Sequence, residues 1–373
     1  MPEVPAHEKV FVEAAFLSDP VHGAFPCTDC HAGDSTAESR EAAHAGLVPD
    51  PTTPGGPDRC GSCHPAIAAD SARSLHTTLR AFRHAVAKRA GTADLPPALE
   101  QPYQRHCTKC HGSCGQCHVS SPAEAGGGLL DGHSFVRKPP MNYTCTGCHG
   151  SRVLNEFKGL NPGIPADVHY QKGFKCTDCH SGDEMHGKGG GEALDRYQVP
   201  NSPLCDDCHP DDSDFAAIPA HAEHRNADQS LKLSCQACHA GTFKSCEGCH
   251  VKTDASGLPV FEVNAPTHVS VLSFRIGRNP RKDGRHPADW VTVRHAPAAP
   301  DTFGFYGEGL LPAFGKAPTW QMATPHTIQR KTPQNETCDG CHGHREWFLS
   351  PEDLKDYEVE ANQGVVVATP PGP

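Results

Sequence analysis

Long apolar runs are missing from this chain of 373 residues. The longest are stretches such as 365–368, far short of the roughly eighteen residues that cross a bilayer, so no transmembrane segment is expected. Aromatic residues are scarce at 6%, hydrophobic residues reach only 36%, and the mean hydropathy is −0.52. That is thin material for a continuous protein core at this length. Positive charge is in deficit, with 33 Lys and Arg against 44 Asp and Glu. The net charge of −11 excludes nucleic acid as a partner, because its phosphates would be repelled. Residues 1–5, MPEVP, have neither the basic nor the apolar region of a secretory leader, so none lies within this numbering. Nucleotide and zinc-protease motifs fail as well. GDEMHGK at 182–188 is followed by Gly189 where a phosphate loop needs Ser or Thr, and the spacing of His221 and His224 is wrong for a zincin helix.

What the chain has instead is cysteine and histidine in one repeated arrangement, Cys-x-x-Cys-His. The ten copies are Cys27-Cys30-His31, Cys60-Cys63-His64, Cys107-Cys110-His111, Cys114-Cys117-His118, Cys145-Cys148-His149, Cys176-Cys179-His180, Cys205-Cys208-His209, Cys235-Cys238-His239, Cys246-Cys249-His250 and Cys338-Cys341-His342. All 20 cysteines are used, so none is left for a lipid anchor. Histidine makes up 26 of the 373 residues, and ten chance placements directly after the second cysteine have a probability on the order of 10⁻¹². Zinc binding pairs Cys-x-x-Cys units without demanding His at one fixed offset. A c-type haem demands it: each thiolate adds to one vinyl group of a porphyrin, and the adjoining imidazole turns to the iron. Ten covalent haem c groups are therefore expected, with His31, His64, His111, His118, His149, His180, His209, His239, His250 and His342 as proximal ligands.

Ten large, flat apolar groups also answer the shortage of core material. With 36 glycines and 35 prolines, the chain is expected to wrap a line of haems in irregular loops and short α-helices, with minor β structure at 259–295. The haem-free chain should then be largely unfolded. Helical spacing is visible at 8–17 and at 66–89, the second stopping at Gly91. Strand-like runs fall at 260–263, 269–276 and 290–293. A helix start is read at Ser350-Pro351, and residues 369–373 look like a frayed tail. By motif spacing the chain divides into a nine-haem region at 1–250, a haem-free segment at 251–337 and a tenth haem with a C-terminal helix and tail at 338–373. Tight motif pairs at 107–118 and 235–250, each followed by a returning histidine, form a weak internal repeat.

Sixteen histidines remain for the other face of each iron, whereas there are only 4 methionines, so His/Met ligation and its higher potentials cannot be general. Met141, Met185 and Met322 are read as packing against porphyrin. A distal histidine reaches iron past an apolar haem edge, so its neighbours should be small or hydrophobic. By that test the candidates are His22, His44, His76, His133, His169, His186, His268 and His326, then His224 in preference to His221, and one of His106 or His295. His7, His286 and His344 have charged neighbours and are spare. The cluster Arg275, Arg278, Arg281, Lys282 and Arg285 is either a solvated loop or a partner for propionates.

With all ten motifs placed, the chain resembles the multihaem c-type cytochromes over residues 22–342. The resemblance implies electron transfer by bis-histidine, low-potential haems, exchange with other redox proteins, and residence outside the cytoplasmic membrane, in the periplasm or at the cell surface. It also implies two alternatives. One is a multihaem reductase of nitrogen or sulfur oxyanions with one open iron, for which 275–285 would be the anion funnel. The other is a homo-oligomeric filament in which His7 or His22 completes a site in the next subunit.

Overall fold

The computed structural model describes residues 5–52, 59–108, 112–122, 125–246, 251–255, 259–260, 270–295 and 299–370. Among the described residues short helices strung on irregular loops dominate, with three small antiparallel sheets, as the composition implies. None of the helices is long and apolar enough to cross a membrane, among the described residues.

Two compact units emerge, each assembled from separated stretches. The first comprises residues 1–81, 107–150 and 175–202; the second comprises 82–106, 151–174 and 203–373. The haem-free segment and the last motif therefore share one unit.

In the first unit, Leu79, Leu130, Ala193 and Val199 are the buried apolar side chains among the described residues. Helices here are brief. The helix read at 8–17 is instead Ala6–Lys9 followed by a 3-10 turn, Ala14–Ser18, with Phe11 and Val12 exposed between them. The segment read as one helix over 66–89 is broken twice. Pro65–Ser71 ends before Ser74, whose hydroxyl caps Leu75–Thr78 by accepting from the Thr77 amide, and Leu79 then turns left-handed at φ 48° before Arg80–Ala90 begins. A local cap and one left-handed residue outweigh continuous apolar spacing. Gly91, at φ +78°, ends the last helix as its sequence position implies.

The second unit has a protein core of its own. Strand β1 (Phe243–Cys246) pairs with β4 (Ser270–Ser273), and the short β2 (Lys252–Thr253) pairs with β3 (Pro259–Val260). Strands β5 (Ile276–Arg278), β6 (Trp290–His295) and β7 (Trp320–Met322) form a three-stranded sheet, with Ile276 opposite Thr292 and Val293 opposite Met322. The run WVTVRH, rich in β-branched residues, makes β6 the central strand, covered on both faces. Around it Phe243, Phe274, Ile276, Ala323, Phe348 and Val367 close into one apolar cluster. Each fully buried Phe, Ile or Val contributes roughly 1.5–3 kcal/mol. The expectation that cofactors supply the whole interior is therefore corrected: the scarce apolar residues are concentrated in this unit. Tight packing also explains Gly277, where an added Cβ would lie 2.9 Å from Val293 Cγ1. Near the C-terminus, Ser350-Pro351 starts a 3-10 turn, Pro351–Asp353, and the α-helix follows at Val359–Asn362. Val365 and Val367 are buried just before the expected tail, of which 371–373 lie outside the described residues.

Candidate haem sites

Each described Cys-x-x-Cys-His motif is one helical turn. Cys27–His31, Cys114–His118, Cys145–His149 and Cys235–His239 are α-helical throughout, and Cys176–Cys179 nearly so. At the others the histidine amide still donates to the first cysteine carbonyl: His64 to Cys60 at 2.8 Å, His209 to Cys205 at 2.9 Å and His342 to Cys338 at 3.0 Å. Positions i, i+3 and i+4 of such a turn share one face, which sends two sulfurs and one imidazole the same way. Cys110, His111, Cys249, His250 and His268 lie outside the described residues, and Cys246 is described only as the last residue of β1.

Among the described residues, six motif histidines face a second histidine. In the first unit the ring centres of His31 and His133 are 6.0 Å apart, those of His149 and His76 6.2 Å, and those of His118 and His186 6.1 Å. In the second, His209 and His169 are 6.3 Å apart, His239 and His221 6.3 Å, and His342 and His224 5.9 Å. Two metal–nitrogen bonds of about 2 Å, plus the distance from each nitrogen to its ring centre, come to about 6 Å. The spacing fits one iron held between two imidazoles.

Orientation of these rings follows from their other nitrogen. Nδ1 meets a backbone carbonyl in His31 (Val48, 2.9 Å), His118 (Val136, 2.7 Å), His221 (Phe215, 3.2 Å), His224 (Ala220, 2.6 Å) and His239 (Gln329, 3.1 Å). In His169 and His180 it meets a carboxylate, Asp167 Oδ1 and Glu184 Oε2, each at 2.9 Å. Such a bond fixes the tautomer and leaves Nε2 to a metal. Burial holds His76, His133, His186 and His239 below the ordinary imidazole range, keeping them in the neutral, ligating form. His180 is the exception. Burial pulls it down, but the bond to Glu184 and that residue's charge raise it overall.

Comparisons with known proteins point to haem cytochromes. The family described as cytochrome c7 and related cytochrome c matches residues 163–240, which hold the motifs of His180, His209 and His239. A relative from Wolinella succinogenes, the dissimilatory sulfite reductase MccA, is 24% identical over 235 residues, 52% of this chain and 32% of its own. A second, the multiheme cytochrome MtrA of Shewanella baltica, is 28% identical over 134 residues, 30% of this chain and 38% of its own. This chain is a multihaem c-type cytochrome. It covers about a third of the length of these curated relatives, and no solved structure matches it.

Neighbouring motifs of the cytochrome touch through their cysteines. The Cys145 and Cys176 thiols are hydrogen-bonded, which raises Cys176 and lowers Cys145, and Cys117 lies close enough to act on Cys145 electrostatically. In the second unit Cys205 bonds Cys235, with Cys205 raised and Cys235 lowered. Burial pushes the Cys238 thiol up to about 12, and Cys341 acts on it next. Motifs thus abut in the order 114–118, 145–149, 176–180 in one unit and 205–209, 235–239, 338–342 in the other.

The remaining sequence candidates sit in other surroundings. His22 stacks on Phe135 at 3.9 Å, His44 Nδ1 meets the Arg40 carbonyl at 2.7 Å, and His326 is edge-on to Phe157 at 6.3 Å. His106 Nε2 meets the Tyr306 hydroxyl at 2.6 Å, and His295 Nε2 meets buried Glu358 Oε1 at 2.5 Å. Both nitrogens face oxygen, so neither residue stands out as a tenth distal ligand. Sequence reasoning ranked His221 behind His224, yet both rings face a motif histidine. In the cluster at 275–285, Arg275 pairs with Asp353 at 3.0 Å, Lys282 with Asp289 at 2.6 Å, and Arg278 lies over Trp290 at 5.1 Å. These contacts tie Arg275, Lys282 and Arg278 into the unit. Met322, read as packing on porphyrin, is buried in β7 opposite Val293.

Proposed function

We propose that this cytochrome is an electron carrier with ten covalently bound haems, most of them bis-histidine and of low potential, working outside the cytoplasmic membrane between other redox proteins. In this reading the ten motif histidines are proximal ligands, and His133, His76, His186, His169, His221 and His224 are distal ligands to the irons of His31, His149, His118, His209, His239 and His342. The observation that carries it is the set of paired rings at 5.9–6.3 Å. Haem iron supplies a one-electron ferric/ferrous couple. The protein's share is to hold two imidazoles on most of the irons, which leaves those irons no face for substrate, and to set motifs side by side. Remaining distal positions fall to His22, His44, His268 and His326. Association into a filament through His7 or His22 is a variant of the same reading.

A reductase is the second reading, favoured by the match to a dissimilatory sulfite reductase over 235 residues. It requires one iron with an open face. Electron paramagnetic resonance of the oxidised holoprotein, with mass spectrometry counting the adducts, separates the two. The carrier gives ten haem adducts and low-spin ferric signals throughout. A substantial high-spin ferric signal that responds to added sulfite or nitrite overturns it in favour of the reductase.

A further inference from the structure

We propose that Asp167 and Glu184 are potential-setting residues that make the irons bound through His169/His209 and through His180 more negative than those whose ligand rings bond backbone carbonyls. This rests on the ligand assignment just given and deepens it. Within the proposed ligand set, Nδ1 of His31, His118, His221, His224 and His239 meets a neutral backbone carbonyl. Nδ1 of His169 and His180 meets a carboxylate instead. A hydrogen bond to an ionised acceptor is roughly twice as strong as one to a neutral acceptor. It shifts electron density onto the ring and raises the basicity of the nitrogen left for iron. The added negative charge favours the more positive ferric state over the ferrous one.

Local structure does not call for Glu184 on other grounds, whereas Asp167 also serves the backbone. Asp167 caps the helix Val168–Gln171 through the His169 amide, and its second oxygen receives the Ile328 amide at 2.8 Å. Asparagine can cap the helix with its oxygen, but its amide nitrogen cannot accept from Ile328, so Glu184 is the cleaner of the two positions. The same Oδ1 also reaches the His169 ring, and Asp167 is 2% exposed, so water screens its charge little. Glu184 lies one turn after His180, with its side chain 12% exposed. Its own amide is already capped by Ser181 Oγ, so the carboxylate is left to the imidazole. The two sites lie in separate units. They belong to the last motif of the 114–118, 145–149, 176–180 series and the first of the 205–209, 235–239, 338–342 series. Electrons held by the partly reduced protein would avoid both.

The test is an optical redox titration of the holoprotein carrying Asp167→Asn or Glu184→Gln, with Glu192→Gln as a control. Glu192 removes the same charge at a carboxylate that pairs with Arg80. Each of the first two variants should move one component of the titration upward, by a change on the order of tenfold in its ferric-to-ferrous ratio at fixed potential, or 59 mV for one electron. The control should move none. If haem content and the low-spin spectrum stay intact while neither variant shifts a component, the inference is overturned and the carrier reading stands. If the unsubstituted protein lacks low-spin haem, the carrier reading itself fails. Should Asp167→Asn fail to assemble, Glu184→Gln alone decides, because it breaks no backbone contact.

Discussion

Arg294 Nη2 lies 2.5 Å from Glu156 Oε1, with the two side chains 4% and 0% exposed. Glu156 also accepts the amides of Lys244 and His326, at 3.2 and 3.1 Å, and the Arg294 guanidinium covers the Phe243 ring at 4.9 Å. One carboxylate thereby ties β1, β6 and the loop that carries His326. Removing one member of a buried pair leaves the other charge uncompensated, so Glu156→Ala should destabilise the second unit by about 3–5 kcal/mol. Urea unfolding of the holoprotein measures this.

Replacing a distal histidine should open one iron without releasing its haem, since both sulfurs remain bonded. His133→Ala, His186→Ala and His224→Ala should each add one high-spin ferric signal and one carbon-monoxide-binding haem. His295→Gln, whose ring meets Glu358, should add none. A new high-spin signal from His295→Gln would place that residue back among the ligands.

Acid should weaken the second unit through Asp353. Burial raises its carboxyl, but the bonds from Arg275 and the Ser350 amide outweigh that and hold it below the ordinary range. A lowered folded-state value gives stability that is present above the unfolded value of about 3.9 and is lost as pH falls through the folded one. Arg275→Gln should remove up to about 1 kcal/mol at neutral pH and flatten the loss below about pH 4. Denaturant midpoints measured from pH 7 downward check both.

Gly277→Ala should cost about 1–3 kcal/mol, because the new Cβ meets Val293 Cγ1 and the Val365 carbonyl, both at 2.9 Å, between packed strands. Thermal melts of the variant holoprotein provide the measurement.

Preventing haem attachment should affect the units unequally. The first, with few buried apolar side chains among its described residues, should lose its structure. The second should keep β5–β6–β7 and a cooperative melt, read by circular dichroism of haem-free protein.

The motifs were legible because their chemistry is local: one turn must carry Cys, Cys and His on one face, and all three fall within five residues of sequence. Partners were less legible because nothing near His31 names His133; the chain must return from 102 positions away (133 − 31) to place it. Local signals did exist for orientation, in Asp167 two residues before His169 and Glu184 four after His180, where a side chain reaches its neighbour's ring without tertiary help. His221 and His224 share a short segment, and neighbour polarity alone could not tell that each ring has its own carbonyl to hold it. The core around Phe243, Ile276 and Val293 was hidden by averaging, since a low overall hydrophobic share says nothing of where those residues gather.

The one-turn motif helices have a consequence for biogenesis. A helix of five residues has no independent persistence in water, so each of these described attachment sites is a pliable tape until its prosthetic group is in place. If the chain closes before attachment, thiols such as that of Cys238 are shielded and reluctant to ionise. Maturation must therefore run in one direction, with sulfur chemistry finished before the polypeptide closes, and a copy that closes early would be a dead end for the cell to clear.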